Sequence, residues 1–85
     1  RELADDPETR ADLHHTLGDT YRALGRYADM GRHLDSALAI RERVFRPPHP
    51  KIADAMYYAM IPAWQRGEWD RGDSLLRAAV AMQRA

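Results

Sequence analysis

One pattern of residues occurs twice in this chain, 42 residues apart, around Gly25 and around Gly67. Ala11 and Asp12 return as Ala53 and Asp54, Tyr27 as Trp69, Leu34 as Leu76, Ala37 and Leu38 as Ala79 and Val80, without a gap in register. Self-similarity at a fixed period of a few tens of residues is the mark of stacked units, each burying an apolar face against the next. Such a chain presents surfaces to partners, and function is to be sought on a surface.

The units are helical. Ala and Leu supply 22 of the 85 residues whereas Val, Ile and Thr supply 8, so good helix formers outweigh β-branched residues. Asp6-Pro7-Glu8 reads as a helix start, with Asp6 as N-cap and Pro7 where its missing N–H costs nothing. The spacing predicts a first helix to about Leu24 with Leu13, Leu17, Tyr21 and Leu24 as one buried stripe. Gly25-Arg26 is the turn. A second helix from about Tyr27 carries Met30, Leu34, Ala37, Leu38, Ile40 and Val44 inward and stops before Pro47-Pro48. His49-Pro50 opens a third helix through Ala53, Met56, Ala59, Met60 and Ala63, Gly67 closes it, and a fourth runs from about Trp69 past Leu75, Leu76, Ala79 and Val80. Pro62 sits inside the third helix, where the lost hydrogen bond and the clash with the preceding turn cost about 3 kcal/mol unless the helix kinks near Tyr58–Pro62.

Composition narrows the function. Net charge is zero, and Arg41, Arg43, Arg46 and Lys51 gather at the end of the second helix, where cations complement the helix macrodipole; no strongly basic face points to nucleic acid. No apolar run is long enough to span a bilayer, and no direct membrane contact is expected. Without cysteine there are no disulfides, thiolate metal sites or thiol catalysis. His15 and Asp19 stand at i, i+4 and could share a metal, but two ligands do not close a site. Ser36 and Ser74 lack a base at any evident spacing. We therefore expect no enzyme activity in this segment, no metal and no cofactor.

Leu17-Gly18, Tyr21, Gly25-Arg26-Tyr27, Leu34 and Ala37 resemble the tetratricopeptide repeat. The lengthened period, with Ala39-Ile40-Arg41-Glu42-Arg43 and the His49-Pro50 helix start, looks like the kinesin-light-chain variety, over residues 11–85. The resemblance implies an all-α fold of four main helices in two antiparallel hairpins, stacked as a right-handed α-solenoid. We divide a single repeat domain, 1–85, into a lead-in (1–10) and two repeats (11–48 and 49–85), and expect it to be a piece of a longer chain, since two uncapped hairpins leave apolar edges. The match departs from the family at Met30 and Gly72, where the second helix has Ala; a thioether widens that crossing and Gly loosens it. In the second repeat Ala59-Met60 replaces Leu-Gly.

The resemblance also implies a site. Tetratricopeptide arrays bind extended peptides or helices on a concave surface lined by the first helix of each repeat. By register this surface holds Asp12, His15, Asp19 and Arg22 from the first unit and Asp54, Tyr57, Ile61 and Trp64 from the second, with Tyr58 and Gln65 beside them. Tyr57, Ile61 and Trp64 fall at i, i+4 and i+7, a stripe that serves either as an exposed anchor or as core. The Lys and Asn that clamp a terminal carboxylate in some members are missing, as His15 and Asp19 stand there. The partner is then a protein or peptide; self-association through the exposed ends of the array is the alternative. The lead-in with Leu17-Gly18-Asp19-Thr20-Tyr21 is also similar to the C-terminal repeat region of bacterial eukaryotic-like serine/threonine protein kinases, which implies a non-catalytic partner-binding or sensing role. We expect a cytoplasmic location, or an extracytoplasmic one if a parent kinase carries the repeats beyond a membrane span.

Overall fold

Two glycine turns organise the molecule. The computed structural model describes residues 6–84 and contains four helices, α1 (Pro7–Ala23), α2 (Tyr27–Val44), α3 (Pro50–Gln65) and α4 (Trp69–Arg84). Gly25 and Gly67 have φ of 73° and 79°, a region that side chains with a Cβ rarely adopt. At the first turn the Gly25 N–H donates to Arg22 O (3.0 Å) and the Arg26 N–H to Tyr21 O (2.9 Å). At the second, Gly67 N–H donates to Trp64 O (2.9 Å) and Glu68 N–H to Ala63 O (2.8 Å). Both are Schellman motifs, with every donor and acceptor displaced by the same 42 residues.

The helix starts are built differently. Asp6 takes the extended backbone of an N-cap, but its carboxylate accepts from the Thr9 hydroxyl (2.8 Å) and caps no backbone N–H. At α3 the His49 Nδ1 accepts from the Lys51 N–H (3.1 Å), and the Phe45 ring stacks on the imidazole at 3.9 Å.

The helices pack in chain order, α1 on α2, α2 on α3 and α3 on α4. Met30, Leu34, Ala59, Met60 and Leu75 form the buried cluster, with Tyr21, Tyr27, Leu38, Met56, Ile61 and Trp64 partly buried around it. On α3, Ala53, Ala55, Ala59 and Ala63 are all buried; short side chains let the helices on either side approach closely. Pro62 is buried as well, and α3 is not interrupted there; the Arg66 N–H donates to Pro62 O at 3.1 Å. Among the described residues no helix is long and apolar enough to cross a membrane.

Three expectations are corrected. Leu13, Leu17 and Leu24 are 52%, 42% and 65% exposed rather than a buried stripe. Their counterparts one period on are Ala55, Ala59 and Arg66; the two alanines are buried in the middle of the array, with α2 and α4 on either side of α3, whereas α1 packs mainly on α2. Val44 also remains exposed, on the last turn of α2. Gly72 does not loosen the second hairpin: a Cβ there would overlap Cδ1 and Nε1 of Trp64, so the missing side chain is the seat of the indole. Gly18 plays the same part in the first hairpin, where a Cβ would lie 2.8 Å from Leu34 Cγ.

Candidate functional site

The cation Arg41 ties the two hairpins together. Its side chain leaves α2 near the C-terminus and is 5% exposed, between α1 and the first turn of α3. Nη2 donates to Asp12 Oδ1 on α1 (3.1 Å), and Nη1 to the Lys51 carbonyl on α3 (3.2 Å) and to His15 Nδ1 (3.2 Å). The Lys51 ammonium reaches the same Asp12 oxygen at 3.4 Å. Partial burial pushes the Asp12 carboxyl up, but the hydrogen bonds and charges of Arg41 and Lys51 more than reverse it and hold the group below the usual carboxylate range.

His15 is neutral in this setting. Burial disfavours its charged form first, and the Arg41 guanidinium adds to that, outweighing the opposite pull of Asp54, Asp19 and Asp12. With Nδ1 accepting from Arg41 the ring hydrogen is on Nε2. The imidazole meets the Tyr58 ring edge-on at 5.2 Å, and Tyr58 meets Tyr57 in the same way at 5.4 Å. A line of rings therefore runs from α1 across to α3.

This face brings most of the sequence-selected residues together, in unequal states. Asp12 and His15 are committed to Arg41, and Asp19 to Arg22 at 2.7 Å. Asp54, Tyr57 and Gln65 are exposed; Tyr58 and Ile61 are partly buried, packed on the core. The Trp64 indole takes the core side of the alternatives left open for its stripe: it is partly buried against the core, with Nε1 shielded from solvent and without a hydrogen-bond partner among the described residues. Tyr57 is the aromatic that projects outward.

Arg41 and Lys51 belong to the site although sequence reasoning places them with the solvated helix end. The available signal was spacing: Arg41 falls seven residues after Leu34 and four after Ala37, on the buried face of α2. A second polar seam lies between α1 and α2, where His14 Nδ1 and His33 Nδ1 are 3.0 Å apart and Tyr21 stacks on His33 at 5.5 Å. Burial, then the electrostatic influence of the neighbouring His33 and of Arg10, pushes the His14 imidazole down. Among the described residues no group of three or more His, Cys, Asp or Glu is placed to hold a metal ion.

Two hairpins closed by superposable glycine turns and presenting their first helices on one face match a known architecture. A tetratricopeptide-repeat family model covers residues 9–85. The chain belongs to the tetratricopeptide repeat family. No curated protein and no solved structure matches it. As a tetratricopeptide repeat it is a helical-repeat scaffold for protein–protein interaction.

Proposed function

We propose that the chain recognises an extended peptide or a helix of a partner protein on the α1–α3 face and performs no chemistry of its own. The observation that carries this reading is Tyr57, 42% exposed on the outward side of α3 next to Asp54 and packed edge-on against Tyr58. A rigid aromatic held by a neighbouring ring and rimmed by polar groups is the kind of anchor that contributes most to protein recognition. His15, Asp19 and Arg22 form the opposite rim on α1, and Ile61 and Gln65 continue the α3 rim. The similarity of the lead-in to kinase repeat regions supports a regulatory or sensing role beside a serine/threonine kinase, in the cytoplasm.

The test is capture of partners from the source cells by the wild type and by Tyr57→Ala, with circular dichroism to verify folding of both. Loss of a captured protein with Tyr57→Ala establishes the face as the recognition surface. Equal capture by the two sinks the reading.

A second reading, assembly of copies or further repeats end to end, is favoured by the exposure of Leu13, Leu17 and Leu24 on α1. Sedimentation across a concentration series decides it. A monomer throughout, or an oligomer unaffected by Leu13→Glu with Leu17→Glu, removes this alternative.

A further inference from the structure

One imidazole joins the tie between the hairpins to the α1–α3 face. His15 stands on α1 at the position that Tyr57 holds on α3, 42 residues on, and it is partly buried where Tyr57 projects. On one side its Nδ1 accepts from Arg41 Nη1 at 3.2 Å. On the other, the ring meets Tyr58 at 86° and 5.2 Å, and Tyr58 meets Tyr57 at 87° and 5.4 Å. Arg41, His15, Tyr58 and Tyr57 thus form a continuous line of contacts from the interior of the array to the exposed anchor.

A proton on His15 breaks this line at its first link. Guanidinium nitrogens only donate, and a charged imidazole donates from both nitrogens, so donor would face donor and two positive charges would stand 3.2 Å apart. Arg41 is not the group that gives way, because it is 5% exposed and keeps Asp12 and the Lys51 carbonyl as acceptors. The ring has somewhere to go. α1 contributes Asp12 and Asp19 to its surroundings, α2 contributes Arg41, and α3 contributes Lys51, Asp54 and Tyr58. Asp12 is already held by Arg41 and Lys51, which leaves Asp54 and Asp19, the latter in an exposed pair with Arg22, as acceptors for an imidazolium. A turn of the ring toward either carboxylate gives up Arg41 and the edge-on seat on Tyr58 together.

We propose that His15 is an acid-operated latch on the α1–α3 face: when the ring takes up a proton it lets go of Arg41, Tyr58 shifts, and Tyr57 loses the seat from which it engages a partner. The inference rests on the reading of Tyr57 as the recognition anchor and names what regulates it. The neutral ring is the closed state. Burial and then Arg41 hold the charged form down, outweighing the pull of Asp54, Asp19 and Asp12, so the latch is closed above pH 6.5 and opens as the pH falls through the lower value that the closed state imposes. His14, also pushed down, is hydrogen-bonded to His33 in the seam between α1 and α2 and serves as the internal control.

The test is a titration of the chain from pH 8 to 5, followed by the ring resonances of His15, Tyr57 and Tyr58 and by the Leu75 amide as a report on the core. Wild type, His14→Gln and His15→Gln are compared; glutamine stays neutral and its amide oxygen can still accept from Arg41. The expected result is that the Tyr57 and Tyr58 signals of the wild type and of His14→Gln move with the midpoint of the His15 ring itself, while Leu75 stays in place, and that they do not move in His15→Gln. Tyrosine signals that stay in place while His15 titrates in the wild type overturn the inference, as does movement that survives His15→Gln. Capture of partners separates the latch from the reading beneath it. Tyr57-dependent capture should fall roughly fivefold or more between pH 7.5 and 5.5. If it is equal at both values, the recognition reading stands and the latch falls. If Tyr57→Ala captures as much as the wild type while the Tyr57 signals follow His15, the latch stands as a conformational device and the recognition reading falls.

Discussion

The indole of Trp64 occupies the volume that a side chain on Gly72 would need, with Cγ of the ring 3.0 Å from the place of a Cβ and Cδ1 and Nε1 closer still. Close approach of α3 and α4 thus depends on one absent methyl group, and the absence has a cost in helix propensity of about 1 kcal/mol.

Gly72→Ala should consequently destabilise the chain in spite of the better helix former. Displacing a packed aromatic ring costs about 1–3 kcal/mol, and the propensity gain offsets part of it, leaving a net loss of about 1–2 kcal/mol. Urea denaturation of wild type and variant measures this. The double variant Gly72→Ala with Trp64→Leu should recover most of the overpacking loss, because the smaller side chain vacates the contested space.

Removing Arg41 should separate the hairpins more than it unfolds either. Arg41→Ala deletes three donors to α1 and α3 and the packed stem of a side chain only 5% exposed, an expected loss of about 3 kcal/mol. Asp12→Asn should cost about 1 kcal/mol, since Asp12 is half exposed and solvent already screens its charge. Amide exchange at Lys51 and Ile52 should quicken in Arg41→Ala before that within α2. Unaltered exchange there would show that the guanidinium is not the tie.

Stability should fall on mild acidification. His14 and His15 both have imidazoles pushed below the ordinary value of 6.5, so the unfolded chain takes up protons first. Their contribution is complete above pH 6.5 and is lost as the pH falls from there through the lower folded values. Melting temperatures between pH 7.5 and 5 follow this. His14→Gln with His15→Gln should flatten the profile, and a profile as steep as that of the wild type would assign the effect elsewhere.

Charge in the interior should be disruptive in either hairpin. Leu34 is fully buried and Met60 nearly so, and both belong to the central cluster. Leu34→Asp or Met60→Glu should leave the chain unfolded at room temperature, since an unpaired buried charge removes several kcal/mol from a small domain whose total is of that order. Far-ultraviolet circular dichroism reads the loss of helix directly.

How far the architecture was legible in the residues varies from element to element. Gly25 and Gly67 announced both turns, because a left-handed residue between two helical periodicities leaves few alternatives. The core side of α2 was legible from Met30, Leu34 and Ala37. Periodicity says which residues share a face, however, and not what covers the face. Leu13, Leu17 and Leu24 have the spacing of a core stripe and lie in solvent because the neighbour that would bury them is not another helix of this pair. Trp64 shows the converse: its helical spacing with Tyr57 and Ile61 left an exposed anchor and core both open, and the vacancy at Gly72 draws it inward. Arg41 was hidden by its type, since a buried cation is affordable only with partners, and those lie 29 and 10 residues away in sequence.

The Arg41 bridge also has a mechanical meaning. Asp12 and the Lys51 carbonyl sit on successive hairpins, and one guanidinium holds both, so the angle between hairpins is governed by a polar hinge pin as well as by interlocking apolar side chains. Apolar packing resists sliding over a broad area, whereas a pin with fixed donor directions resists rotation about a point. Loss of the Asp12–Arg41 contact would therefore free one hairpin to turn about the other rather than to slide along it.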